Sequence, residues 1–181
     1  MKHSKKLSVI RECINDQFLC RCYFKYDENY RYYYINDVND EFVLGQEEND
    51  FLLDGYTINK LSHLSKAEIK DDACSEINRL NGIISRIKNP EIDISSWQGI
   101  FQALKNLDKW IIVSNEYDNN GFFYIGTIIK AGKKKLTIKP FDADGIWLEE
   151  MKIPYEDITS VSFDTRYINN WRMYLERTKE G

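Results

Sequence analysis

Residues 41–70 line up with residues 135–164 at a constant offset of 94. Apolar positions coincide eight times: Phe42 with Leu136, Leu44 with Ile138, Leu52 with Ile146, Leu53 with Trp147, Leu61 with Tyr155, Leu64 with Ile158, Ala67 with Val161 and Ile69 with Phe163. Ile58 and Ile153 match after a slip of one residue. Few residues are identical, so what repeats is the pattern. Such a repeat restricts the chain to two copies of one architecture. The 181 residues then divide into a first unit, 1–90, and a second, 91–181. Units of that size lie near the lower limit for an independent core. The 12 Tyr, 9 Phe and 4 Trp suit them, because large rings bury much area per residue.

Within each copy the spacing of apolar residues is mostly that of strands. Phe18, Cys20, Cys22, Phe24 and Tyr26 alternate with Leu19, Arg21, Tyr23 and Lys25, which predicts a half-buried strand. Residues 31–38, 42–44, 52–53 and 56–69 continue the first unit, with turn chemistry at 27–29, 39–40 and 54–55. In the second unit the strands are predicted over 110–115, 122–130, 136–141, 146–153 and 160–163. Asn119-Asn120-Gly121 and Ala131-Gly132-Lys133 read as its hairpin turns.

Helical spacing appears at the ends and joints. Leu7, Ile10 and Ile14 predict a helix over 5–14. A helix capped by Asp72 is expected to carry the stripe Cys74, Ile77, Leu80, Ile84 and Ile87, ending at Asn89-Pro90. Ser95 and Gln98 have the spacing of a capping box ahead of Trp97, Ile100, Phe101, Leu104 and Leu107. Asp164 is placed to cap a last helix with Tyr167, Ile168, Trp171, Tyr174 and Leu175 on one side. The fold class is therefore mainly β with helices: two tandem five-stranded small antiparallel barrels, each flanked by short helices. Five short strands left as an open sheet would expose too much edge, which favours closure.

The passage Lys152-Ile153-Pro154-Tyr155-Glu156-Asp157-Ile158-Thr159-Ser160-Val161 resembles the "I-P-x-x-D-I-x-x-I" segment of Sm-like and Src-homology-like small barrels. There a tight 3₁₀ turn precedes the last strand. Leu61-Ser62-His63-Leu64 occupies the matching place in the first unit, without the proline. The layout, with residues 35–44 and Asp54-Gly55-Tyr56, looks like bacterial proteins built from tandem barrels of this kind. The resemblance implies a fold and no particular activity, since small barrels serve ligands, nucleic acids and protein tails alike.

Charge narrows the function. The chain stands at −4, with 25 basic and 29 acidic residues, and each half carries −2. A chain without a basic half is poorly suited to neutralising phosphates over a long track. No apolar run approaches the ~20 residues that span a bilayer. The charged start is followed by Arg11 and Glu12, not by a signal-peptide core, so the reading is cytoplasmic with reduced cysteines and no membrane partner.

Catalytic chemistry finds little support. His63 is the one histidine placed to act as a base, and it falls in the turn before a last strand, where Asp157 stands in the second unit. Cys20 and Cys22 are spaced too closely for the usual zinc knuckle, and they read as small core residues on an inward face. No metal, no cofactor and no enzyme activity is expected.

Binding is favoured instead. Between Asn36 and Asn59 stand Asp37, Asp40, Glu41, Glu47, Glu48, Asp50 and Asp54 with no basic residue. Lys130, Lys133, Lys134, Lys135 and Lys139 crowd into ten residues without an acid. These stretches occupy equivalent hairpins, so their tips carry opposite charge. The plainer reading, which is favoured because surface charge runs usually only solvate, is that they keep the hairpins solvated and the edges unpaired. Tyr30, Tyr32 and Tyr34 alternate with Arg31 and Tyr33; Tyr32 and Tyr34 are expected in the core, while Tyr33 stays open as an interaction residue. The reading is a non-enzymatic binding or adaptor protein whose partner is another protein. The alternative is RNA binding, with the 130–139 hairpin on phosphates and exposed tyrosines on bases.

Overall fold

The computed structural model describes residues 2–117 and 121–178, with side chains from Lys5 onward. Asn119 and Asn120 of the expected hairpin turn lie outside the described residues. The chain divides into two compact units, Met1–Glu91 and Ile92–Gly181.

The first unit opens with α1 (Lys2–Asp16), which turns Leu7, Ile10 and Cys13 inward. It ends because Gln17 takes a left-handed conformation at φ 54°, and the Phe18 N–H then donates to the Cys13 carbonyl at 3.0 Å. Five strands follow: β1 (Leu19–Phe24), β2 (Tyr30–Val38), β3 (Phe42–Asn49), β4 (Leu52–Lys60) and β5 (Leu64–Lys70). All pairings are antiparallel, in the order β5-β1-β2-β3-β4. The alternation read from the sequence holds in β1. Cys20, Cys22 and Phe24 join Tyr33, Ile35, Val43, Leu61 and Leu64 beneath α1, while Leu19 and Tyr34 face the other way and pack on Ile83. Tyr33 crosses directly over Gly45, where an added Cβ would fall 2.9 Å from the Tyr33 Cβ.

The second unit runs through α3 (Trp97–Asn106), β6 (Trp110–Asn115), β7 (Phe122–Ala131), β8 (Lys135–Phe141), β9 (Met151–Pro154), β10 (Ser160–Phe163) and α4 (Arg166–Thr178). Between the units' strands lies α2 (Ala73–Leu80), which belongs to the first. Strand order here is β10-β6-β7-β8-β9, the same as in the first unit, again antiparallel. The likeness reaches small details. Asp108 ends α3 at φ 50°, with Lys109 N–H donating to the Leu104 carbonyl at 2.9 Å, as Gln17 ends α1. The first strand of the central hairpin carries a bulge in both copies, between Ile35 and Asp37 and between Ile128 and Lys130. The Leu64 N–H reaches the Leu61 carbonyl at 3.3 Å, and Ile158 reaches Tyr155 at 3.4 Å, so the turns before the last strands match at the expected offset. One sheet face holds Ile111, Val113, Leu136, Ile138 and Ile153, all buried. On the other face α4 sets Ile168 and Leu175 against Trp110, Ile112, Ile125 and Phe141.

Several expectations are corrected. Among the described residues no ladder joins β4 to β5 or β9 to β10, so in neither unit do the five strands close into a hydrogen-bonded barrel. The strand expected over 146–153 shrinks to Met151–Pro154 and one bridge from Trp147 to Phe141. Its first half is a loop turned at Gly145, φ 79°, which leaves Ile146 61% exposed and Trp147 half-buried. The helix expected through Ile87 stops at Leu80, because Gly82 adopts φ 66°, and only a 3₁₀ turn, Ile84–Arg86, follows. Its Asp72 cap is as expected, but Ser96 caps α3 in place of Ser95. Thr165 caps α4 while Asp164 binds Lys109. Leu107 of the α3 stripe is exposed.

Candidate functional site

The register of β7, β8 and β9 gathers the lysines. Lys130 pairs with Thr137, and Thr137 pairs with Lys152 on its other side. Cross-strand partners share a face, and so do residues two apart along a strand. Lys135, Thr137 and Lys139 therefore lie on the same face as Lys130 and Lys152, each about 7 Å from the next along β8. Lys133 and Lys134 occupy the tip between β7 and β8. All six lysines are exposed, and among the described residues none makes an ion pair. Elsewhere several basic side chains are tied to carboxylates: Lys66 to Glu68, Lys70 to Asp72, Arg79 to Asp71, Lys109 to Asp164 and Arg172 to Asp108.

The tip is braced from below. The Gly132 N–H donates to the Lys135 carbonyl at 2.9 Å, and the Tyr155 N–H donates to the Lys134 carbonyl at 3.0 Å. The Tyr155 hydroxyl donates to the Gly132 carbonyl at 2.8 Å, and burial pushes that phenol up to about 12. Phe101 stacks on the Tyr155 ring at 5.8 Å. A hydrogen-bonded turn thus presents exposed charges. Glu149, Glu150, Glu156 and Asp157, all exposed, flank β9, so the positive area is bounded by carboxylates.

The equivalent turn of the first unit is acidic and equally ordered. The Asn39 side chain accepts the N–H groups of Glu41 and Phe42 at 2.8 and 2.7 Å. Asp37 accepts the Val38 N–H at 2.7 Å, and Asp37, Asp40 and Glu41 are exposed. The opposite signs of the two hairpin tips are thus present on the surface. Tyr33 is not part of any surface. It is 2% exposed among Phe24, Cys20 and Cys22, and burial drives its phenol well above the usual range. Its register opposite Cys20 places it on the inner face, and no partner reaches it there.

A second group of tyrosines lies on the outer face of β1 and β2. Tyr23 and Tyr30 meet edge-on at 5.7 Å, and Tyr30 and Tyr32 are 5.1 Å apart. The Arg21 guanidinium lies 4.7 Å from the Tyr30 centroid and 5.7 Å from that of Tyr32, and Lys70 is 4.7 Å from Tyr32. Tyr30 is the most open of these rings, at 45%.

Cys13 of α1 and Cys20 and Cys22 of β1 are buried in the same core, with Cys22 and Cys20 sulfurs 3.6 Å apart. His63 is half-buried beside Tyr26, and burial, then Lys60 and Lys25, lower it to about 4. Among the described residues no helix is long and apolar enough to cross a membrane.

Sequence reading located five of the six lysines. Lys152 escaped it because β9 is four residues long, and only the β8–β9 register places it beside Lys130 and Thr137. No protein-family model, no curated protein and no solved structure matches this chain.

Proposed function

We propose that the protein is a non-enzymatic binding protein that docks an acidic segment of a partner protein on the lysine face of β7, β8 and β9. The carrying observation is that six exposed lysines converge there with no ion pair among the described residues, on a turn hydrogen-bonded to Tyr155. Each unit is read as an open form of an Sm-like small barrel, a scaffold that offers hairpin tips and sheet faces for contact. A protein partner suits the site better than a long nucleic acid, because Glu149, Glu150, Glu156 and Asp157 close off the positive area and the whole chain carries −4. A short acidic segment needs only the lysines.

The second reading is RNA binding, and one observation favours it: the Arg21, Tyr30 and Tyr32 ladder offers a stacking surface with a cation built in. Capture from native cell extract, with and without nuclease, separates the two. The expected result is a protein retained after nuclease treatment and lost when Lys133, Lys134 and Lys135 are all changed to Glu. Capture that survives this triple reversal, or that vanishes with nuclease, overturns the protein reading.

A further inference from the structure

A groove beside α4 has the chemistry of a cation site. An open groove of about 470 Å³ is lined by Ala143, Asp144, Tyr167, Asn170, Trp171 and Tyr174. Tyr167, Trp171 and Tyr174 follow one another at helical spacings of four and three, so they line one face of α4. Their rings stand nearly at right angles: 78° between Tyr167 and Trp171 at 6.4 Å, and 80° between Trp171 and Tyr174 at 5.9 Å. Trp171 is anchored on Phe141, 5.2 Å away, while Tyr167 and Tyr174 are half exposed. An indole with a phenol on either side is a corner of π-faces, the arrangement that attracts an organic cation through the ring quadrupoles.

The facing wall carries the complementary charge. Asp142 accepts the N–H groups of Asp144 and Ile146 at 3.0 and 2.9 Å, which fixes the loop. Gly145 closes it onto the helix: a Cβ there would lie 3.0 Å from the Leu175 side chain and 3.4 Å from the Tyr174 ring. The Asp144 carboxylate is exposed, and among the described residues it has no hydrogen-bond or ion-pair partner. No lysine or arginine lines the groove. Arg172 is turned away, its guanidinium over Trp110 and bound to Asp108 and Glu176. A plain apolar ligand would leave Asp144 without a function, and a metal ion would find only one carboxylate.

We infer that this groove binds the ammonium group of a lysine side chain presented by a partner protein. The volume exceeds what an ammonium alone fills and is within the range of ligand pockets, which leaves room for the methylene stem and adjoining backbone. The site is independent of the lysine face and of opposite ligand charge, so either stands if the other fails.

The test titrates the full chain with two capped pentapeptides, Ac-Ala-Ala-Lys-Ala-Ala-NH₂ and the same peptide with norleucine for lysine. The Trp171 indole N–H resonance is followed, assigned through Trp171→Phe. The lysine peptide is expected to shift that resonance saturably at millimolar concentration. Tyr167→Ala and Asp144→Asn should each weaken binding by about fivefold or more while leaving the remaining spectrum unchanged. Equal binding of the norleucine peptide would reduce the groove to an apolar contact and overturn the inference. So would a response to tetramethylammonium chloride with none to the lysine peptide, which would mark a small-molecule site. No shift with any probe up to tens of millimolar also overturns it.

Discussion

Cys13, Cys20 and Cys22 meet in the core of the first unit, and what they do there is decided by their surroundings. A hydrogen bond to Cys20, reinforced by burial, drives the Cys13 thiol far above its ordinary value. At Cys20 the bond from Cys13 pulls down, but contact with Cys22 and burial together win, and the thiol is raised. The thiolate is the reactive form, so Cys13 and Cys20 are inert while the fold is intact, and Cys22 is shielded by burial. Cys74 is exposed on α2. A disulfide reagent should therefore modify one thiol rapidly in the native protein and all four after denaturation, and Cys74→Ser should remove the rapid phase. Three fast thiols in native protein would contradict the packing role. His63 gives a pH counterpart. Its ordinary value is 6.5 and its folded value about 4, so between these the unfolded chain binds the proton more readily. The stability it contributes is whole above about pH 6.5 and is lost as pH falls through 4. His63 is only half-buried, so solvent screening keeps the effect modest. His63→Gln should flatten the decline in stability over that window, measured by urea unfolding. An unchanged slope would assign the decline to other groups.

Among the elements, α2 shows where periodicity misleads. Cys74, Ile77 and Leu80 make an apolar stripe by spacing, and all three are exposed, Leu80 at 80%. The buried positions are Ser75 and Asn78. Asp72 takes the Cys74 and Ser75 amides, and Ser75 donates to the Lys70 carbonyl at 2.6 Å, which rotates the polar side toward the sheet. With the helix halted at Gly82, the contact that counts is Ile83 against Leu19 and Tyr34. Ile83→Ala should cost about 2–4 kcal/mol, whereas Leu80→Ala should stay within about 0.5 kcal/mol, both read from denaturant midpoints. A large loss at Leu80 would restore the stripe to a structural role. In α4 the stripe holds in part: Ile168 and Leu175 face the core, while Tyr167 and Tyr174 are exposed. Strand β9 was not legible. Its length depends on the Gly145 turn, and the apolar run Ile146-Trp147-Leu148 before the strand has the composition of a strand.

At the scale of the whole molecule the repeat was the most legible feature, since apolar spacing carries strand order and the turn before each last strand. The left-handed helix ends at Gln17 and Asp108 were not, because neither residue is a glycine and nothing local marks them. Function turns on how charge is laid over that frame. The chain is net negative, yet six lysines on β7, β8, β9 and the adjoining tip make no ion pair among the described residues. Ionic strength separates the partners such a surface can hold. A single RNA strand engaging all six lysines would release condensed counterions, with a slope of log K against log salt of about −4. Between 50 and 200 mM salt that is a loss of roughly a hundredfold or more. An acidic protein segment carries no comparable condensed layer, so screening alone weakens it and the slope is shallower. The expected measurement is therefore a shallow slope for the captured protein partner, with binding abolished by Lys133→Glu, Lys134→Glu and Lys135→Glu together. A slope near −4 with an oligonucleotide, lost in the same triple variant, would transfer the lysine face to RNA. A slope near zero in wild type would show that the lysines are only solvating the hairpin, and would move the contact to another surface.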